Sequence, residues 1–195
     1  HIVSVNDVKE LQVINDGNFE LEIGSAVSYQ RATSSLVKYW PDLEAYLHRF
    51  ASLPIKNWAT IGGNIANASP IGDMPPVLIA FEAKLKLRRE SKVRIITLED
   101  FFVTYKKTAL EKGEFIESFI IPKPDKNDHL LAHKISKRFE DDISAVCMAM
   151  NVRLNDDLPS SVKIALGGMS GIPQRALGLE KVVLDHWNDE NIAQL

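Results

Sequence analysis

The sequence predicts an α+β fold made of two lobes, over residues 1–124 and 125–195. Strand-like and helix-like patterns come in blocks along the chain, which is typical of α+β domains. A polar segment rich in breakers, Pro122-Lys-Pro-Asp-Lys-Asn-Asp128, separates the two lobes. The composition, 45% hydrophobic and 25% charged over 195 residues, is that of a globular protein with an apolar core.

The first lobe is predicted to open with a hairpin and two helices. Asn15-Asp16-Gly17 supplies turn residues, and apolar and polar residues alternate over 19–23 as in a strand. Ser28 can cap a helix that runs to about Tyr39, and Pro41-Asp42 starts a second helix. The apolar residues of the second helix recur at helical spacing: Leu43, Tyr46, Leu47 and Phe50.

Beyond residue 83 the pattern turns mainly to strands. Thr97 can cap a short helix, and a last helix is predicted over about 174–184. The predicted strands cover 84–88, 93–96, 115–121, 130–136, 143–154 and 162–166.

Charge and residue spacing exclude several kinds of partner. The net charge is −3, so nothing draws the whole chain to nucleic acid or to an anionic membrane. Its apolar stretches fall short of the roughly 20 residues of a membrane helix, and no secretory signal opens the chain. Cys147 is the single cysteine, and the histidines lack ligand spacing, so we expect no metal site. We predict that Cys147 is a buried small hydrophobe in a strand.

The most informative stretch is 53–76, where hydrophobic periodicity disappears and glycine, proline and asparagine are concentrated. We interpret it as one long loop, and loops of this length are uncommon unless they are functional or disordered. The pair Gly62-Gly63 lets backbone approach a ligand, reach positive φ and form an anion-binding nest. Glycine pairs also occur in plain tight turns, and that alternative stays open.

The segment Ala59-Thr-Ile-Gly-Gly-Asn-Ile-Ala-Asn-Ala-Ser-Pro-Ile-Gly-Asp73 resembles the second flavin-binding segment in the FAD domain of the molybdenum hydroxylases. The resemblance extends over nearly the whole chain. Within the family, it is greatest to the FAD-carrying small subunit of the bacterial xanthine dehydrogenases. Its further motifs are Phe101-Phe-Val-Thr-Tyr-Lys-Lys-Thr108, Gly113-Glu-Phe-Ile-Glu117, Lys134-Ile-Ser-Lys-Arg-Phe-Glu-Asp-Asp-Ile-Ser-Ala-Val146 and Leu166-Gly-Gly-Met169.

The resemblance implies an FAD-binding lobe followed by a small α+β lobe like that of the carbon monoxide dehydrogenase flavoproteins. It also implies a set of residues around the pyrophosphate and ribityl chain of FAD, namely Ala59, Thr60, Gly62, Gly63 and Asn64. Ser69 and Asp73 match the second half of that segment, where the aspartate contacts the ribityl or adenosine side. No catalytic side chain is implied.

Further matches concern the flavin ring and the electron acceptor. Phe50 matches an aromatic that covers the isoalloxazine, and Ile116 matches an apolar residue against the ring. Lys134 matches a lysine at the pyrimidine edge, where a cation helps to hold reduced, anionic flavin. The resemblance places Tyr105, Asp141 and Asp142 where the dehydrogenases shape the nicotinamide side and its electrostatics.

Several of these residues also have a purely structural interpretation. Phe50 has the spacing of a core aromatic, and Lys134 could be an ordinary charge on an edge strand. Asp141 and Asp142 could form a solvated turn between strands, since adjacent residues on an extended chain point apart.

The resemblance implies that the chain passes electrons from iron–sulfur clusters through FAD to NAD while a molybdopterin subunit oxidises hypoxanthine or xanthine. That large subunit and an iron–sulfur domain are the implied partners, in the cytoplasm. The family's first FAD loop and its iron–sulfur domain have no match, so we expect a fragment that is inactive by itself. The flavin subunit of another molybdenum hydroxylase, for an N-heterocycle, aldehyde or thioester, and a scaffold lobe without flavin remain alternatives.

Overall fold

The computed structural model describes residues 4–5, 7–139 and 141–187. The described part of the chain forms two main antiparallel sheets and a separate two-stranded hairpin over 102–108, with helices packed against the main sheets. The strands are β1 (Ile14–Asp16), β2 (Glu20–Gly24), β3 (Lys84–Arg89), β4 (Lys92–Thr97), β5 (Phe102–Thr104), β6 (Lys107–Thr108), β7 (Phe115–Pro122), β8 (Asp128–Ser136), β9 (Ser144–Asn155), β10 (Leu158–Gly167) and β11 (Gln174–Arg175). The helices are a 3-10 turn (Lys9–Gln12), α1 (Tyr29–Tyr39), α2 (Leu43–His48), α3 (Leu53–Trp58), α4 (Ile61–Ala66), α5 (Met74–Ala80), α6 (Leu98–Phe101) and α7 (Leu177–Asp185).

The first sheet has five strands in the order β1-β2-β7-β3-β4, and all neighbours are antiparallel. In the inner part of the sheet, alternate residues of β2, β3 and β7 are mostly buried, as expected for a sheet with one face in the core. Leu21, Leu85 and Phe119 lie on that buried face. The second sheet has four strands in the order β11-β10-β9-β8, and α7 packs against β10.

The predicted hairpin and first helix are confirmed. β1 pairs with β2, with Ile14 opposite Ile23. Ser28 is the N-cap of α1, and its hydroxyl accepts a hydrogen bond from the amide of Arg31. The composition of helices and strands in two sheets also confirms the α+β class.

The prediction of one long loop over 53–76 is wrong, because this stretch contains α3, α4 and the start of α5. Pro54 lies in the first turn of α3, and Pro75 lies in the first turn of α5. The first turn tolerates proline, since its missing N–H would have no intrahelical partner there. Thr60 caps α4. Two of the prolines that we interpreted as breakers therefore mark helix starts.

The predicted start of the last helix is also wrong. Gln174 and Arg175 form the short strand β11, which pairs with Leu166 and Ala165 of β10. The helix begins only at Leu177. A two-residue strand has no periodicity, so its pairing with β10 could not be found from the sequence pattern.

Both sheets contribute to one apolar core. α5 is buried along its whole length and packs against β9 and β10 of the second sheet. Cys147 and Ala149 of β9 belong to the same cluster of buried residues as Leu21 and Phe119 of the first sheet. The two predicted lobes are therefore tightly joined, and a boundary near residue 124 stays a prediction.

A glycine in the turn after β10 fixes how the second sheet meets the segment that follows α4. Gly168 has φ +83°, which side chains rarely adopt, and its amide donates a hydrogen bond of 2.8 Å to Pro70 O. A Cβ on Gly168 would lie 2.3 Å from Ala145 O. This position therefore requires glycine for both conformation and space.

We expect Gly168→Ala to lower the free energy of unfolding by roughly 2 kcal/mol or more, because strain and a backbone clash add. Gly178→Ala is the matched control, since Gly178 lies in α7 and a Cβ there would meet no atom within 4 Å. Its unfolding free energy should rise by up to about 1 kcal/mol. Urea unfolding measures both changes, and equal stabilities of the two variants would contradict the prediction.

Candidate functional site

The segment 59–64 is attached to the start of α1. Ala59 O accepts a hydrogen bond of 2.9 Å from the amide of Tyr29, and Thr60 forms an isolated bridge with Ser28. Thr60 Oγ1 accepts a hydrogen bond of 2.9 Å from the amide of Gly63, which caps α4. These contacts hold the segment in one conformation.

The two glycines of this segment have different roles. Neither has a positive φ, so the expectation of an anion-binding nest built on positive φ is wrong: both are helical. Gly62 is buried, and a Cβ there would lie 2.3 Å from Ser25 O. Gly63 is exposed, and a Cβ there would meet only Thr60 Oγ1, at 3.2 Å. Gly62 thus allows close packing, whereas Gly63 leaves the surface of α4 open.

Two buried polar atoms close to this segment have no hydrogen-bond partner among the described residues. They are Asn64 Oδ1 on α4 and Tyr29 Oη at the start of α1. Ser69, in contrast, closes a local turn, because its hydroxyl accepts a hydrogen bond from the amide of Ile71. Unpaired buried groups are rare in folded proteins and call for a specific explanation.

Asp73 and Lys134 form a buried ion pair between elements of the two predicted lobes. Lys134 Nζ on β8 lies 2.7 Å from Asp73 Oδ2, just before α5, and the side chains are only 2% and 7% exposed. Ser144 on β9 donates a hydrogen bond to the other carboxylate oxygen. The interpretation of Lys134 as an ordinary edge charge is therefore wrong: β8 is an edge strand, but the side chain points into the core.

A second buried contact lies beside this pair. Tyr46 Oη on α2 donates a hydrogen bond of 2.7 Å to Asp73 O and lies 2.9 Å from Cys147 Sγ. Burial raises the pKa of Tyr46 well above its usual 10.0 and that of Cys147 from 9.0 to about 12. Both groups therefore stay protonated at neutral pH. Cys147 is buried in β9, so the prediction of a buried cysteine in a strand is confirmed.

The two predicted ring contacts, Phe50 and Ile116, lie on different elements. The Phe50 ring, half-buried after α2, stacks on Tyr29 with 4.1 Å between ring centroids. Phe50 packs against the core, which the structural interpretation predicted, yet it is not fully buried. Ile116 is buried on β7, the strand against which α4 packs.

Arg49, which precedes Phe50, joins α2 to the second sheet, and no sequence pattern identified it. Its guanidinium donates hydrogen bonds of 2.6 Å to Lys134 O, 3.1 Å to Ser136 Oγ and 3.2 Å to Phe139 O. It also lies over the Phe139 ring, 4.7 Å from the centroid. These contacts fix the end of β8 relative to Phe50.

A cleft of about 520 Å³ is lined by Arg49 and Ala51, the chain neighbours of Phe50. Its walls come from the end of α2, from α3 and from the turn after β8, so it opens between the two predicted lobes. Its lining residues include His48, Arg49, Lys56, Phe139 and Asp141.

The predicted acceptor-side residues are not all brought together. Asp142 pairs with Arg138, and these hydrogen bonds lower the pKa of Asp142 below its usual value. Asp141 is exposed with φ 49°, as expected for a solvated turn between strands, whereas the Asp142 side chain is only 13% exposed. Tyr105 is 63% exposed in the β5–β6 hairpin, where its Cβ faces Gly171. Tyr105 thus lies on a separate hairpin from the acidic turn.

The site thus combines an exposed glycine, unpaired buried polar atoms, a half-buried aromatic ring and a buried cation. Within the described residues, no group of three or more His, Cys, Asp or Glu side chains could hold a metal ion. The helices of that part of the chain are all too short or too polar to cross a membrane. The geometry is that of an α+β domain with a candidate site near the junction of the two predicted lobes.

Comparison with known proteins identifies the class. Residues 1–124 match the family model of the FAD binding domain in molybdopterin dehydrogenase, and residues 131–195 match that of the CO dehydrogenase flavoprotein C-terminal domain. The chain belongs to this family of FAD-binding domains, so the predicted resemblance to the molybdenum hydroxylases is confirmed.

Individual relatives agree with this assignment. The chain is 34% identical to xanthine dehydrogenase of Blastobotrys adeninivorans over 90% of its length, and 38% identical to nicotinate hydroxylase hnxS of Emericella nidulans over 64%. It spans only 14% and 10% of those proteins. Its fold matches quinoline 2-oxidoreductase of Pseudomonas putida 86 with a TM-score of 0.84 and 24% identity, over 95% of this chain and 65% of that one.

We expect Lys134→Met to lower the free energy of unfolding by roughly 3–5 kcal/mol, because it leaves the Asp73 carboxylate buried without its cation. Replacing both partners, Asp73→Leu with Lys134→Met, should cost less, since no isolated charge remains. Lys38→Met is the control: Lys38 pairs with Asp16 at the surface, and its loss should change stability far less. A double variant less stable than Lys134→Met would contradict the prediction.

We expect Cys147 to be unreactive in the folded protein. The fold keeps its thiol protonated up to about pH 12, whereas the unfolded chain loses this proton near pH 9.0. This group's contribution to stability is therefore complete below pH 9.0 and lost as the pH rises towards 12. A thiol reagent at about pH 8, below the ordinary thiol pKa, should label Cys147 only as fast as the protein unfolds, while Ser91→Cys, in an exposed turn, adds a rapidly labelled thiol. Immediate labelling of folded wild-type protein would refute the assignment.

Proposed function

We propose that this chain is the FAD-binding part of a xanthine dehydrogenase-type enzyme. In this proposal electrons from purine oxidation at a molybdopterin subunit pass through iron–sulfur clusters to FAD and then to NAD. The relatives named xanthine dehydrogenase support this assignment, and they are 30% and 34% identical to the chain over 100% and 90% of its length. A cytoplasmic location and both protein partners are part of the proposal.

One observation carries the cofactor assignment: an exposed glycine, Gly63, stands directly before Asn64, whose buried Oδ1 has no hydrogen-bond partner among the described residues. A buried acceptor without a donor costs roughly 1–3 kcal/mol, and a hydroxyl or N–H of a bound ligand would remove that cost. FAD carries such donors on its ribityl chain and its rings. The absent side chain at Gly63 lets a ligand approach the backbone of α4. The residues present therefore fit FAD.

Each element would contribute to binding in a distinct way. The segment Ala59, Thr60, Gly62, Gly63 and Asn64 would hold the pyrophosphate and ribityl chain, with Ser69 at its far end. Phe50 and Ile116 would cover the isoalloxazine, and Lys134 would lie at its pyrimidine edge. Asp73 would act mainly by orienting Lys134, because Lys134 and Ser144 already occupy its two carboxylate oxygens.

Bound FAD supplies the redox chemistry, accepting electrons one or two at a time and transferring a hydride to the acceptor. The side chains of this chain bind and orient the cofactor, and no nucleophile is required. We propose that Tyr105, Asp141 and Asp142 shape the acceptor side. Anaerobic addition of NADH to the assembled, FAD-containing enzyme tests the acceptor, since bleaching of the visible flavin band would support NAD and unchanged absorbance would exclude it.

A flavin subunit for another aromatic N-heterocycle is the second candidate. The relative named nicotinate hydroxylase favours it, with 38% identity over 129 residues. The two candidates differ in the molybdopterin subunit, where the substrate is oxidised. Assays of the assembled enzyme with xanthine and with nicotinate distinguish them.

We expect Gly63→Val to weaken FAD binding by more than about tenfold in a folded protein, because the new side chain fills the open surface of α4. Titration with FAD, followed by quenching of flavin fluorescence and with FMN as comparison, measures the loss. Gly171→Val is the matched control, since its Cβ would meet only Tyr105 Cβ at 3.8 Å. Wild-type affinity in folded Gly63→Val would refute the predicted role of this glycine.

A further inference from the structure

Tyr29 is a buried aromatic residue next to the proposed flavin site. It is 1% exposed and is the first residue of α1. Its amide donates a hydrogen bond of 2.9 Å to Ala59 O, so it is fixed directly to the segment proposed to hold the pyrophosphate.

Phe50 is held much less firmly. It follows α2 outside any regular helix, and its amide reaches Leu47 O at 3.3 Å. Its half-buried ring stacks on Tyr29 with 4.1 Å between centroids and 26° between the planes. A near-parallel stack restricts both the height and the tilt of the less firmly held ring. Tyr29 therefore determines where the Phe50 ring lies.

The hydroxyl of Tyr29 does not explain its position. Tyr29 Oη is buried and has no partner among the described residues. Burial, together with the nearby Asp73 carboxylate, raises the pKa of Tyr29 well above 10.0, so the group stays neutral. What holds the residue against Phe50 is the ring and the backbone.

We propose that Tyr29 is a positioning residue of the flavin site, whose ring sets the plane of Phe50 against which the isoalloxazine of FAD lies. This inference rests on the proposed function, because it requires Phe50 to cover the flavin. Tyr29 acts through Phe50 and does not itself touch the cofactor.

The test compares variants of the intact flavin-containing protein, freed of FAD and then titrated with it. Tyr29→Leu and Tyr29→Met remove the stacked ring and should weaken FAD binding roughly 3- to 10-fold. The visible flavin spectrum should also shift towards that of free FAD, because the ring environment of the flavin changes. Tyr29→Phe keeps the ring and should restore wild-type affinity and spectrum.

The pair Trp40 and Phe81 provides a matched control. Their rings stack with 4.4 Å between centroids and 23° between the planes, within the core cluster. Phe81→Leu should lower stability as Tyr29→Leu does, yet leave the flavin spectrum unchanged. The double variant Tyr29→Leu with Phe50→Leu tests whether Tyr29 acts through Phe50. If it does, Tyr29→Leu should cause no further loss of FAD affinity once Phe50 is replaced.

The outcomes separate the two proposals. If the wild-type protein fails to bind FAD, both the proposed function and this inference are overturned. If the wild-type protein binds FAD and either folded variant, Tyr29→Leu or Tyr29→Met, binds it with unchanged affinity and spectrum, only this inference is overturned. A loss in Tyr29→Phe as large as in Tyr29→Leu also overturns it, because the hydroxyl and not the stack would then be responsible.

Discussion

The buried ion pair between Asp73 and Lys134 is the interaction on which the rest of this structure depends. Removing two charges from water is costly, and their attraction offsets that cost only when the geometry is good and their remaining oxygens and protons are satisfied. Here Ser144 donates a hydrogen bond to the second carboxylate oxygen. The start of α5 must therefore lie at the correct place against both β8 and β9 for the ion pair to form with all its contacts. The pair therefore makes correct packing of the two sheets a condition of stability.

This constraint also determines where the proposed site lies. Tyr46 ties α2 to Asp73 O, and Arg49 at the end of α2 ties it to Lys134 O. The backbone of Lys134 is thereby bound to Arg49, the residue before Phe50, although 84 residues separate Phe50 from Lys134 in the sequence. Tyr29 connects Phe50 in turn to Ala59 and the glycine segment. The position of the proposed site thus follows from contacts that the fold needs in any case.

The sequence predicts the parts of this structure that local pattern controls. Strands in which apolar and polar residues alternate were predictable, and so was the helix cap at Ser28. The family motifs identified the glycine segment as a candidate binding segment. The helices over 53–76 were not predictable from local pattern. Proline and threonine favour both turns and helix starts, and only the packing of the folded chain decides between a turn and a helix. The contact partners of Lys134 and Tyr29 could not be predicted from the sequence either. Asp73 is 61 residues from Lys134, and the stacking of Tyr29 on Phe50 leaves no periodic signal.

The electrostatics of the site differ from what residue type alone implies. A lysine 2.7 Å from a carboxylate presents a dipole and little net charge, so Asp73 reduces what Lys134 can offer to an anionic group nearby. Arg49 is different, because its partners in the described chain are two carbonyl oxygens, a hydroxyl and an aromatic ring. None of these neutralises the guanidinium. Arg49 therefore contributes positive charge beside Phe50, while the Asp73–Lys134 pair supplies a fixed orientation for the lysine.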